Sequence, residues 1–240
     1  MMRLREAPSC VHCGSNLRFR TLIYGLSVAL FGVATPLCEF PVRKDLRGIG
    51  LSDADLYAIA LNERLDYTNT FFHATPKLDI ANMATTEYSG LDFIVASDVF
   101  EHVAPPIDIA FRNARRLLRE GGVLVFSVPY VPGGHTEEHF PDLYNYAIER
   151  HGDCHVLLNR TRSGELQRYE NLVFHGGPGT TLEMRLFAFE DLKSYFLAAG
   201  FEIPQLLNEY IPQFGIDWRG EHCSIPMVAR ACETSNDGCN

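Results

Sequence analysis

What this sequence has least of is positive charge. Lysine and arginine together number 21 against 30 aspartates and glutamates, a formal charge of −9 over 240 residues, and the basic residues never gather into a block. A nucleic-acid binder needs a basic face turned to phosphate, so nucleic acid is not an expected partner. Cysteine is neither dense nor even: seven residues, at Cys10, Cys13, Cys38, Cys154, Cys223, Cys232 and Cys239. A small secreted scaffold would show an even, crowded set, and a chain this long buries about 70% of its unfolded surface without staples. A reducing cytoplasm is the expected compartment. Long apolar runs are scarce too. The one exception, Thr21–Cys38, has 18 residues without a charge, the lower edge of a bilayer span. It contains Tyr24, Gly25, Ser27, Gly32, Thr35 and Pro36, and some twenty polar residues precede it, which suits neither a span nor a signal peptide. It reads as a buried helix, and no membrane association is expected. Repeats and low-complexity tracts are absent, and 46% hydrophobic with 21% charged residues is ordinary globular usage.

What is present alternates. Ser15 or Asn16 caps a helix that Gly32 stops, and a proline-marked link, 36–41, follows. Leu46–Leu51 reads as a strand, and Ser52 as the cap of a helix from Asp53 to Arg64 with Leu56, Ile59, Ala60 and Leu65 at helical spacing. Tyr67–Phe72 is a second strand and Leu78–Ile80 a third, very short one. Leu91–Ala96 is an apolar strand, 107–120 an amphipathic helix ended by Gly121-Gly122, and Val123–Val128 another apolar strand. Strand, helix, strand in this order makes a right-handed parallel unit. Residues 131–185 break the alternation and hold five of the nine histidines. Regularity returns with a helix 190–199 stopped by Gly200 and strands 201–207 and 224–231; the polar tail 233–240 is expected to be disordered.

In an open α/β sheet, ligands bind outside the carboxyl ends of the strands. After the first strand these positions are Ser52 and Asp53, with Gly48 and Gly50 just before them, where small residues admit a ligand to the backbone and a helix N-terminus offers free N–H groups. After LDFIVA come Ser97, Asp98, Val99, Phe100, Glu101, His102 and Val103. The stretch 91–129, LDFIVASDVFEHVAPPIDIAFRNARRLLREGGVLVFSVP, resembles the fourth-to-fifth-strand segment of class I S-adenosylmethionine-dependent methyltransferases. Phe187-Ala188-Phe189 before a helix ending Ala-Ala-Gly-Phe resembles that family's last helix and strand. Cys10-Val-His-Cys13-Gly-Ser, then Arg18-Phe-Arg20, resembles a subgroup with a Cys-x-x-Cys arm.

The resemblance implies a Rossmann-like, mostly parallel sheet with helices on both faces, a compressed N-terminal half and a long insertion before the last helix and strand. It divides the chain into an arm and helix (1–40), a methyltransferase-like domain (41–232) with a lid at 131–185, and the tail. It implies S-adenosyl-L-methionine as cofactor, held by Gly48, Gly50, Ser52, Asp53, Asn69, Asp79, Ser97, Asp98 and Glu101. The family's Asp-x-Gly-x-Gly loop is reduced here to Gly48-Ile-Gly50-Leu-Ser-Asp53, and the ribose-binding acid is replaced by Asn69, without charge assistance. A second register would make Leu46–Leu51 the second strand and put Gly50 where that acid belongs. The first is preferred because 66–80 then supply both remaining strands.

Methyl transfer from a sulfonium needs in-line placement and a base for the acceptor. His102 is the leading base candidate; Tyr130, His135 and His139 are candidates to touch the acceptor, expected to be a small molecule or a carbohydrate. His135-Thr-Glu-Glu-His139 also fits an inverted zinc-protease pattern using His135, Glu138 and His139, but that chemistry needs a helix between Pro132 and Pro141. His175-Gly-Gly-Pro-Gly179 resembles a hydrolase oxyanion loop without the downstream nucleophile elbow. Cys10 and Cys13 are half a zinc knuckle, with His12 badly placed and His222 or Cys223 remote. No residue is assigned to a metal. The alternatives are a non-catalytic methyltransferase-like binding module and, third, a zinc hydrolase.

Overall fold

The structure, a computed structural model, describes residues 5–84, 86–152, 154–177, 179–220 and 224–233. His222, Cys223 and all but the first residue of the expected tail lie outside them. In chain order come α1 (Leu17–Phe31), β1 (Arg43–Leu51), α2 (Asp55–Arg64), β2 (Leu65–Thr70), β3 (Leu91–Ser97), α3 (Asp108–Leu117) and β4 (Leu118–Ser127). Eight short strands follow: β5 (Tyr130–Val131), β6 (Glu137–Glu138), β7 (Asn145–His151), β8 (Cys154–Arg160), β9 (Leu166–Tyr169), β10 (Phe174–His175), β11 (Thr181–Leu182) and β12 (Arg185–Ala188). The chain closes with α4 (Phe189–Ala199), β13 (Gln205–Leu206) and β14 (Met227–Arg230).

The central sheet runs β13-β14-β4-β3-β1-β2. The pairs β1–β2, β1–β3 and β3–β4 are parallel, and β14 is antiparallel to both β4 and β13. Strands β3 and β4 are buried on both faces, as apolar runs without alternation require. On one face, α1 and α2 pack Leu22, Leu26, Tyr57 and Leu61 against Tyr67, Phe93 and Val125. On the other, α3 and α4 pack Phe111, Leu117, Leu192 and Phe196 against Ile94, Leu124 and Phe126. With helices on both faces of a mostly parallel sheet, the layering is Rossmann-like.

The apolar stretch at 21–38 therefore docks on the chain's own sheet. Asn16 Oδ1 caps α1 by accepting from the Phe19 N–H at 2.8 Å, and Gly32 ends it at φ 72°. Trp218 Nε1 donates to Thr21 Oγ1 at 3.0 Å, fixing the helix's polar seam. No helix among the described residues is long and apolar enough to cross a membrane.

Several boundaries differ from expectation. Ser52 is not a helix cap: it sits in the left-handed region at φ 58°, and α2 starts three residues later without a side-chain cap. Leu56 and Ile59 face solvent while Tyr57, Ala58 and Leu61 are buried, a face offset by one position. Helix α3 ends at Leu117, and β4 begins at Leu118, ahead of Gly121-Gly122. Residues 78–80 make no strand; Phe71 pairs with Lys77 and Asp79 with Asn82 as isolated bridges, so β2 closes that edge. Central placement of β1 between β2 and β3 settles the register in favour of the first reading.

The insertion builds three small sheets, β5-β12-β6, β7-β8-β9 and β10-β11. Phe140, Leu157, Leu182 and Met184 form its own apolar cluster.

Candidate active site

The site grows from the end of β3. Asp98 takes φ 55°, turning the chain into a short 3-10 turn, Phe100–His102. Phe100 anchors that turn, its ring 5.0 Å from those of Phe111 and Phe126. The insertion is bonded to the same turn. Met184 N–H donates to the Glu101 carbonyl at 2.7 Å, Arg185 Nη1 to the Phe100 carbonyl at 2.8 Å, and His102 Nδ1–H to the Leu182 carbonyl at 2.8 Å.

These bonds bring two carboxylates and three imidazoles together. Glu101 is fully buried; its Oε1 lies 3.6 Å from His102 Nε2 and 3.8 Å from His175 Nδ1. Glu183 lies behind, 2.9 Å from His175 Nε2 and 3.0 Å from His139 Nε2. Burial, then the charge of Asp98, pushes the Glu101 carboxyl well above the usual carboxylate range. Burial holds the His102 imidazole below its ordinary value. Burial would also raise Glu183, but its bonds to His175 and His139 outweigh that and leave it lowered.

A second group of charges lies at the other side of the β3 end. Asp98 Oδ2 and Oδ1 accept from Arg5 Nη1 and Nη2 at 2.8 and 2.7 Å, Ser127 donates to Oδ1 at 2.8 Å, and Arg18 Nε is 3.3 Å away. Arg18 also bonds Ser97 Oγ and is held by Glu6. Burial would raise Asp98, but the Arg5 bonds and charge, with Arg18, hold it below its ordinary value.

A family model described as a methyltransferase domain matches residues 46–206. The chain belongs to the class I S-adenosylmethionine-dependent methyltransferases. No curated protein matches it. A solved S-adenosylmethionine-dependent methyltransferase from Clostridium acetobutylicum is similar at TM-score 0.52 and 14% identity, over 90% of this chain and 92% of that one. The CurJ carbon methyltransferase is similar at TM-score 0.51 and 13% identity, over 89% of this chain and 54% of that one. CalS10, an amino pentose methyltransferase from Micromonospora echinaspora, is similar at 0.49 and 13%, over 90% and 92%. The cofactor that goes with this family is S-adenosylmethionine.

The expected site residues of the methyltransferase fall into three groups. Ser97, Asp98, Glu101, His102 and His139 belong to the two clusters just described. Ser52, Asp53 and Asn69 meet at the ends of β1 and β2: Ser52 N–H donates to the Thr70 carbonyl at 2.7 Å, and the Asn69 amide bonds Asp53 N–H and carbonyl at 2.9 and 2.8 Å. The Asp53 carboxylate points inward, accepting from Tyr57 and Tyr67 hydroxyls at 2.8 and 2.6 Å, and burial pushes it up to about 7. The glycines beside it are packed by protein. A Cβ on Gly50 would stand 2.0 Å from the Tyr67 hydroxyl, and one on Gly48 2.3 Å from the Phe93 ring. Asp79 bonds its own turn, accepting from Ala81 N–H at 2.9 Å.

The third group is scattered. Tyr130 is buried with its ring 5.5 Å from that of Phe189, and the His135 side chain is 96% exposed, 3.8 Å from Asp191. Glu138 pairs with the fully buried Arg185 at 2.6 Å. The stretch 135–139 contains a strand rather than a helix, and its three residues face different partners, so the arrangement a zinc protease needs is not formed.

Arg5, His175, Glu183 and Arg185 had no place in the sequence-based site. The Gly-Gly that follows His175 pointed to a turn, but nothing local tied that histidine to His102. Cys10 and Cys13 close a tight turn, with the Gly14 N–H donating to the Cys10 carbonyl at 2.9 Å. Backbone N–H groups of Cys13 and His12 lower the Cys10 thiol to about 7.

Proposed function

We propose that the protein transfers the methyl group of S-adenosylmethionine to a hydroxyl of a small molecule or sugar. One observation carries this reading: at the end of β3 the chain gathers His102, His139 and His175 with Glu101 and Glu183. A neutral imidazole beside buried carboxylates is equipped to orient a hydroxyl and remove its proton. His102 and His139 are the catalytic candidates. Absence of a basic block argues for a small polar acceptor rather than a polyanion.

The cofactor's place in this reading is the crevice between β1 and β3, where strand order reverses. Its residues suit the zwitterionic methionyl end: Arg5 and Arg18 for a carboxylate, Asp98 for an ammonium, Ser97 and Ser127 as hydroxyls. Asn69 serves the ribose, with Ser52 and Asp79 at the rim. When bound, the cofactor supplies an activated methyl group, and the chain's task is in-line placement.

A second reading is a non-catalytic methyltransferase-like module. It is favoured by Arg5 and Arg18, which already satisfy Asp98 across the crevice. Calorimetry with S-adenosylmethionine and S-adenosylhomocysteine tests both. Binding with methyl transfer to a polar acceptor is the expected result; no binding at millimolar cofactor overturns the enzyme.

A further inference from the structure

Buried carboxylates normally find donors, and each exception needs a physical cause. Glu101 is such an exception: it has no exposed surface, and neither of its oxygens has a hydrogen-bond partner. What faces it is not a donor. The Leu182 carbonyl only accepts, so His102 carries its proton on Nδ1 and keeps its lone pair on Nε2, the atom 3.6 Å from Glu101 Oε1. His175 Nε2 stands 2.9 Å from the Glu183 carboxylate, which puts its proton there and leaves the lone pair on Nδ1, 3.8 Å from the same Oε1. Three potential ligand atoms thus converge, all within 4.8 Å of one another, with no protein N–H aimed between them.

We propose that Glu101, His102 and His175 bind a divalent first-row transition-metal ion, of the zinc kind, on the acceptor side of the site. Bonds of about 2.1 Å to nitrogen and oxygen place neighbouring ligand atoms roughly 3–3.5 Å apart; the 3.6 and 3.8 Å from Glu101 to the two imidazoles need a small contraction, and the imidazole nitrogens, within 4.8 Å of each other, close by a side-chain rotation. The outer contacts are those of a metal site: a backbone carbonyl orients one ligating imidazole and a carboxylate the other, and His139 in turn holds Glu183 at 3.0 Å. Two imidazoles and one carboxylate suit zinc, manganese, iron or cobalt, while magnesium and calcium take oxygen ligands. Three protein ligands leave positions open. A His102 that holds the ion has no lone pair left to act as a base, so on the methyltransferase reading the open positions would take the acceptor's hydroxyl oxygen and lower its pKa in place of that base; the metal site itself stands without that reading.

The test uses the full chain stripped with a chelator and titrated with Co2+, then Zn2+. The expected result is uptake of one ion per chain with visible ligand-field bands, loss of those bands when Zn2+ displaces Co2+, and a rise in melting temperature. His102→Ala and His175→Ala each weaken Zn2+ binding at least about 100-fold, and Glu183→Gln about 10- to 100-fold. His151→Ala, on exposed β7, binds like the parent chain. The proposal is overturned if the parent chain takes up no ion. It is equally overturned if uptake survives His175→Ala but is lost in Cys10→Ser/Cys13→Ser, which places the ion in the arm. Calorimetry with S-adenosylmethionine on the stripped chain is read separately, so failure of the methyltransferase reading is distinguishable.

Discussion

Arg5 grips Asp98 with both terminal nitrogens, at 2.8 and 2.7 Å, joining the N-terminal arm to the end of β3. Both side chains are mostly buried, as is that of Arg18 beside them. Removing one partner of such a pair leaves the others charged and unpaired. Asp98→Asn is therefore expected to lower unfolding free energy by about 3 kcal/mol and to free the arm for trypsin. Urea denaturation and a proteolysis time course check it; an unchanged midpoint and an intact arm refute it.

Asp53 gives the fold a stability slope with pH. Its folded-state pKa, raised by burial to about 7 from 3.8, means the unfolded chain ionises first as pH rises. Between about pH 4 and pH 7 the unfolded state holds fewer protons, so this group's contribution to stability falls across that window and is flat above it. The loss amounts to about 4 kcal/mol at most. Asp53→Asn is expected to flatten the curve of urea-derived stability against pH. An identical slope in the variant rules the account out.

Cys10 is expected to alkylate as a thiolate near neutrality. Its pKa of about 7 follows from the N–H groups of Cys13 and His12. Iodoacetamide labelling followed by peptide mass spectrometry should show Cys10 reacting ahead of the exposed Cys38 and Cys154 at about pH 7. Equal rates would contradict it.

Gly50 has no room for a methyl group, since the Tyr67 hydroxyl and the Asp53 carboxylate fill the space. Gly50→Ala is expected to cost about 1–3 kcal/mol by overpacking, visible as a lower melting temperature. An unshifted melt would mean that Tyr67 moves aside freely.

His102→Ala is expected to slow methyl transfer about 10²- to 10⁴-fold while leaving calorimetric affinity for S-adenosylmethionine unchanged. Weakened cofactor binding with normal turnover would move His102 to the cofactor side.

The elements legible in the sequence were those whose signals are local. Asn16 and Gly32 bracket α1 by backbone chemistry within a turn of each end, and short apolar runs bounded by Ser97 and by Gly121-Gly122 mark the buried parts of β3 and β4. The α2 face misled because Leu56 and Ile59 are apolar yet exposed; packing against β2, not periodicity, chose Tyr57 and Leu61. Gly48 and Gly50 read as openings for a ligand, and their missing Cβ atoms also make room for Phe93 and Tyr67. The histidine cluster was half visible. His102 was marked by the strand before it, whereas His175 and Glu183 arrive through a fold of the insertion that no short-range pattern encodes.

Residues 182, 184 and 185 are fastened to the turn 100–102 by three hydrogen bonds, while the β7-β8-β9 sheet, whose β7 is exposed along its whole length, lies outside that seam. Change is thereby partitioned. The partition runs by face: exposed β7 is open to substitution, whereas Leu157 of β8 packs with Leu182 and Met184, which flank Glu183, so a change there loosens the histidine–glutamate cluster.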